Sequence, residues 1–212
     1  MSGRVVRAYA ALGDSFTAGR DSIDAERWAD LLALGMRRVN PELRYENLAV
    51  DGATSAEVLD GQVEPALALE PDLLTVICGA NDVLLATRPD VSGYAERIDK
   101  ILSRLREGAP EAALVTATAP ETWHFMDLRP RTERRLIEAT TELNELTRVA
   151  AKRYDVLCLP VAGHELLKDP DTFSADGLHP SSAGHRYAAE QAAIVLHQRF
   201  GIEFEMEGEG ET

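Results

Sequence analysis

Short apolar runs alternate along this chain with longer amphipathic stretches. The apolar runs cover residues 5–12, 44–49, 73–78, 113–118 and 156–159, and their length and composition predict strands. Between and after them, residues 27–39, 55–69, 94–106, 131–153 and 182–200 carry apolar positions at helical spacing. Strand and helix in regular alternation predict an α/β fold: a five-stranded parallel sheet covered by helices on both faces, with right-handed crossovers set by strand twist. No Pro/Gly-rich linker divides the chain and no internal repeat occurs. One domain over residues 1–202 is therefore expected. Residues 203–212, rich in Glu and Gly, lack apolar periodicity and are expected to be a disordered acidic tail.

Polar residues punctuate this pattern where strands end. Gly13-Asp14-Ser15 follows the first strand, Asp51-Gly52-Ala53-Thr54 the second and Gly79-Ala80-Asn81-Asp82 the third. Residues 118–129 follow the fourth, and Asp176-Gly177-Leu178-His179-Pro180 lies beyond the fifth, just before the final helix. Ligands of open parallel sheets bind beyond the carboxyl ends of the strands. Chain order thus brings these segments toward one rim.

Ser15 on that rim fails three familiar spellings. A dinucleotide fingerprint needs Gly where Ser15 stands, and a P-loop needs Gly-Lys-Ser/Thr where the chain has Ala18-Gly19-Arg20. The α/β-hydrolase elbow Gly-x-Ser-x-Gly needs Gly where Thr17 stands. A lone serine after a strand is ordinarily a turn or cap residue. What changes the reading is Asp176 and His179, three residues apart in a loop. That spacing lets the carboxylate hold Nδ1 of the imidazole and leaves Nε2 to deprotonate a serine. Acyl transfer also needs donors for a developing oxyanion. The Ser15 N–H, the Gly52 N–H (free of a Cβ in its turn) and the Asn81 amide would supply three.

The other histidines give weaker signals. His164-Glu165-Leu166-Leu167-Lys168 has Lys where a zinc helix requires its second His, so no metal site is expected. His185 and His197 lie on the last helix and read as surface or packing residues. Trp123-His124-Phe125-Met126 forms an apolar cluster in a rim loop. It reads either as a substrate-pocket wall or as a loop packed onto the domain.

Composition narrows the partners. With 22 Lys+Arg against 36 Asp+Glu the formal charge is -14, which repels nucleic acid and anionic membranes and disfavours anionic substrates. Cys78 and Cys158 lie in separate strand-like runs, a pattern that fits reduced thiols better than a disulfide framework. No signal peptide fits ahead of the first strand, and no apolar run reaches membrane-spanning length. A cytoplasmic protein without integral membrane association is expected.

The four blocks, in this order and after these strands, resemble the SGNH-hydrolase superfamily, also called GDSL-type esterases and lipases. Gly13-Asp14-Ser15 is similar to the first block with Phe16 in place of Leu, and Gly52 matches the second. Gly79-Ala80-Asn81-Asp82 and Asp176-Gly177-Leu178-His179-Pro180 match the third and last. The resemblance spans nearly the whole chain. It implies a flavodoxin-like three-layer α/β/α sandwich and hydrolysis of a small-molecule acyl ester without metal or organic cofactor. It further implies Ser15 as nucleophile, His179 as base and then acid, Asp176 as its orienting group, and Ser15, Gly52 and Asn81 as the oxyanion hole. Asp14 reads as a partner that shapes the turn. Small or medium acyl chains are favoured. A carbohydrate acetylesterase, a thioesterase or a lysophospholipase would use the same site. A non-catalytic binding member of the fold would have lost one of these residues, and a phosphate-binding regulator conflicts with the acidic charge.

Overall fold

The strand Ala8–Gly13 (β1) is buried at every position, so it needs cover on both faces. The computed structural model, which describes residues 3–20, 22, 26–84 and 89–206, provides that cover. β1 pairs in parallel with Arg44–Asn47 (β2) on one side and Leu73–Ile77 (β3) on the other, and Ala113–Ala117 (β4) and Leu157–Leu159 (β5) follow in parallel. The sheet order is β2-β1-β3-β4-β5.

Successive strand residues point to opposite faces. Ala10, Leu12, Leu74, Val76 and Leu114 pack with Val58, Val63, Ile98, Leu105, Leu136 and Leu143. Those partners come from Ser55–Gly61 (α3), Val63–Ala68 (α4), Val91–Gly108 (α6) and Pro130–Arg153 (α7). Tyr9, Ala11, Leu73, Ala113 and Val115 instead face Leu32, Met36, Ala189 and Leu196, carried by Trp28–Val39 (α2) and Ser182–Phe200 (α8). This is the three-layer arrangement. Two short helices, Ser15–Ala18 (α1) and Ala80–Leu84 (α5), begin directly at the polar blocks after β1 and β3. Among the described residues no helix is long and apolar enough to cross a membrane.

Three differences from the sequence pattern have local causes. The first strand starts at Ala8 and not at Val5, because the Arg7 N–H is taken by the Asp72 carboxylate at 2.8 Å and Val5 is exposed. The stretch 55–69 forms two helices, not one. They meet at buried Gln62, whose amide holds the Gly13 backbone from both sides, accepting from its N–H at 2.8 Å and donating to its C=O at 2.9 Å. At the far end, Phe204 and Met206 pack on the α2/α8 side, and the Glu205 N–H donates to Gly35 O at 3.1 Å. The described part of the expected tail, residues 203–206, thus lies on the domain; residues 207–212 lie outside the described residues.

Candidate active site

Strand order reverses at β1: the chain steps outward to β2 and returns to β3 on the other side. A crevice opens at such a switch point, and the residues after β1 and β3 line it. At Gly13 φ is +146°, and a Cβ there would lie 2.2 Å from Ile77 O, so the strand closes against β3 only with glycine. Asp14 then caps α1, its Oδ1 accepting from the Phe16 N–H at 3.1 Å. Its other oxygen, Oδ2, is buried without a hydrogen-bond partner among the described residues. Burial, reinforced by the Asp82 and Asp51 charges and opposed by the Phe16 N–H, pushes the Asp14 carboxyl up to about 7. Ser15, the first residue of α1, is 5% exposed.

The loop before α8 is drawn tight by a bridge between Phe173 and Pro180 and by the Ser174 N–H donating to His179 O at 2.7 Å. Within it, His179 Nδ1 lies 2.6 Å from Asp176 Oδ2, and Nε2 lies 2.8 Å from Ser15 Oγ. A carboxylate against Nδ1 keeps the proton there, so Nε2 presents its lone pair to the serine hydroxyl. Asp176 Oδ1 accepts from Ser174 Oγ at 2.8 Å and from the Leu178 and His179 N–H groups at 2.9 and 3.0 Å. Partial burial would raise this carboxyl, but the His179 ring, those two N–H groups and the Ser174 hydroxyl outweigh it and hold it far below the usual range. The Phe16 ring sits 5.6 Å from the imidazole, tilted against it.

The second and third blocks reach the same rim. The Val50 N–H donates to Gly13 O at 3.2 Å, which ties the Gly52 turn to the serine turn, and Gly52 has φ +77°. The Asn81 amide donates one hydrogen to Ala53 O at 3.0 Å, which orients the group and leaves its second hydrogen to point elsewhere. Among the described residues, no carbonyl or side chain accepts from the Ser15 or Gly52 N–H.

The family model described as the GDSL-like lipase/acylhydrolase family matches residues 11–187. The chain belongs to this family. Membership makes it a hydrolase of the esterase or lipase type. The chain is 29% identical over 195 residues to the GDSL lipase Rv0518 of Mycobacterium tuberculosis, covering 88% of this chain and 80% of the relative. In fold it is similar to a lipase/acylhydrolase from Enterococcus faecalis, with TM-score 0.73, 20% identity and coverage of 95% and 98%. It is also similar to the psychrotrophic esterase EstA of Pseudoalteromonas, seen inhibited by monoethylphosphonate, with TM-score 0.66, 16% identity and coverage of 91% and 97%.

In this GDSL-family chain the four residues of the rim cluster separate. Trp123 is 1% exposed and sits in the core, its indole N–H donating to Thr140 Oγ1 at 3.2 Å. It packs within the core cluster. His124 is exposed. Phe125 is half-buried between His124 and Phe173, with ring centroids 4.0 and 5.4 Å away, and Met126 packs at the edge of the core. Phe125 therefore leans on the loop that carries Asp176 and His179.

Two residues that hold the site are not singled out by the sequence pattern. Ser174 holds Asp176, and Gln62 holds Gly13, a partner 49 residues away that only folding brings close. Ser174 is two residues from Asp176, a spacing at which a hydroxyl readily bonds a carboxylate, and this was its one available clue.

Proposed function

We propose that the protein is a serine esterase that hydrolyses small or medium acyl esters through an acyl-enzyme. The observation that carries this reading is the continuous run Ser15 Oγ, His179 Nε2, His179 Nδ1 and Asp176 Oδ2, with contacts of 2.8 and 2.6 Å at its two links. As the Ser15 oxygen bonds to the ester carbonyl carbon, its proton passes to His179 Nε2 and the carbonyl electron pair moves onto oxygen. Asp176 stays ionised and stabilises the imidazolium. The oxyanion is held by the Ser15 and Gly52 N–H groups and the remaining Asn81 hydrogen. Collapse expels the alkoxide, which takes the proton from Nε2, and a water deprotonated by His179 then releases the acid. Ser15 and His179 are both buried, with Phe16 against the imidazole, and small or medium acyl chains are the substrates favoured in this reading. The free thiols of Cys78 and Cys158 support a reducing, cytoplasmic setting.

The test is a panel of p-nitrophenyl esters of increasing chain length, with acetylated sugars, thioesters and lysophospholipids, run beside Ser15→Ala. Loss of kcat on the order of 10⁴- to 10⁶-fold is expected with the fold intact by circular dichroism. A fluorophosphonate is expected to label Ser15 one to one, in keeping with the phosphonate inhibition of the structurally similar EstA. Unchanged turnover in the variant contradicts the assignment, and a wild type that binds esters without turnover or labelling makes the protein a binder.

A further inference from the structure

The two proposed oxyanion donors beside Ser15 follow strands that do not pair with each other. Gly52 follows β2 and Asn81 follows β3, and β1 lies between those strands. Two side-chain links join these segments directly: the Asn81 amide on Ala53 O at 3.0 Å, and a second built on Asp82. Ser55, the first residue of α3, donates to Asp82 from its N–H to Oδ2 at 2.8 Å and from its hydroxyl to Oδ1 at 2.5 Å. Arg97 reaches both from α6: its Nε donates to Ser55 Oγ at 2.7 Å and its Nη2 to Asp82 Oδ1 at 3.0 Å. A further nitrogen, Nη1, touches Asp90, the cap of α6, at 3.4 Å. The Ser55 hydroxyl, donating to one partner and accepting from the other, has a single orientation.

We propose that Arg97 is a positioning residue for the oxyanion hole, acting through Ser55 and Asp82 to fix Gly52 against Asn81. The proposal rests on the reading of Gly52 and Asn81 given above. Ser55 is fully buried and the Asp82 side chain is 5% exposed, so the guanidinium supplies charge-paired hydrogen bonds that little else near them can match. Removing the guanidinium leaves a buried carboxylate without its cation, and the surroundings rearrange around it. Asp82 adjoins Asn81, and Ser55 lies three residues from Gly52, so the rearrangement reaches both donors. A displacement of about 1 Å in a group that meets the transition state costs on the order of 100-fold in rate. Lysine retains the charge but lacks the planar fork that spans Ser55 and Asp82.

The experiment measures kcat and KM of the full chain on p-nitrophenyl butyrate for wild type, Arg97→Ala, Arg97→Lys and Ser55→Ala. Rates are expressed per site labelled by fluorophosphonate, so that unfolded protein does not count. For Arg97→Ala we expect kcat per labelled site to fall about 10- to 100-fold, with KM within threefold and Ser15 still labelled. Arg97→Lys is expected to recover part of the loss. If Arg97→Ala does not fold, Ser55→Ala, which keeps the Arg97–Asp82 pair, carries the same expectation. Wild-type kcat per labelled site in the variant that folds overturns the proposal, as does a loss that appears in KM alone. A wild type that neither takes the label nor hydrolyses any ester overturns the reading of the site, and the tether with it. An active, labelled wild type matched by its Arg97 and Ser55 variants overturns the tether only.

Discussion

Asp14→Asn isolates the effect of one buried carboxyl on stability. In the folded protein burial holds this group at about 7, against an ordinary value of 3.8. Between those values the unfolded chain has released the proton and the folded chain has kept it. The unfolded state then binds fewer protons, and stability falls as pH rises. Above about pH 7 the folded form ionises as well and the loss levels off. A shift of about three units at about 1.4 kcal/mol each gives a loss of about 4 kcal/mol between pH 4 and pH 8. Asparagine cannot ionise. Its amide, in place of the unpartnered Oδ2, adds a desolvation cost of about 1–3 kcal/mol, but that cost does not vary with pH. The assay is urea unfolding followed by circular dichroism at half-unit steps from pH 4 to 8, for wild type and variant. The stability of the variant minus that of wild type is expected to climb by about 4 kcal/mol up to pH 7 and stay level beyond. A difference that does not change with pH refutes the reasoning, because it means that the native carboxyl ionises as freely as the unfolded one.

Three further substitutions probe the site and its surroundings. Asn81→Ala removes one proposed oxyanion donor and is expected to lower kcat about 10²- to 10³-fold, or about 2.7–4 kcal/mol in the barrier; a rise in KM at normal kcat contradicts that role. Ser174→Ala removes the side-chain donor to Asp176 and is expected to lower kcat/KM about tenfold, in line with about 1.5 kcal/mol for a hydrogen bond to a charged group; an unchanged rate contradicts the importance of that contact. His185, fully buried on α8, accepts from the Trp28 N–H at 3.3 Å, and burial lowers its ring to about 4. Below about pH 6.5 the unfolded chain gains a proton that the folded chain refuses, so stability falls as pH drops toward 4, by roughly 3 kcal/mol. His185→Asn keeps an acceptor for Trp28 and should flatten that acid limb in urea unfolding; curves of equal slope exclude His185 as its source.

The alternation of apolar runs and amphipathic stretches was enough to read the layers, because a parallel sheet covered on both faces demands that pattern of its strands. Element ends were harder to read, since side chains from elsewhere decide them. Asp72 takes the Arg7 N–H and delays β1, and Gln62 is drawn to Gly13 between two helices. The rim blocks could be read because Gly13, Gly52 and the Asp176–His179 pair do local work in turns. Trp123 could not be placed, since apolarity does not say which way a loop residue points, and Thr140, its hydrogen-bond partner, lies on α7. Arg97 and Ser55 were hidden for a related reason: Arg97 lies 15 residues from Asp82 and 42 from Ser55.

Ser15 and His179 lie 164 residues apart in the chain. A ribosome adding about 5–20 residues per second needs roughly 8–33 s to travel from one to the other. For all that time the growing polypeptide carries a serine with no base beside it. In the proposed reading its hydroxyl is then as inert as that of any serine without a base. His179 follows β5 and directly precedes α8, so the imidazole can join Ser15 only after β5 has been made. Labelling of Ser15 would therefore serve as a clock for the completion of folding.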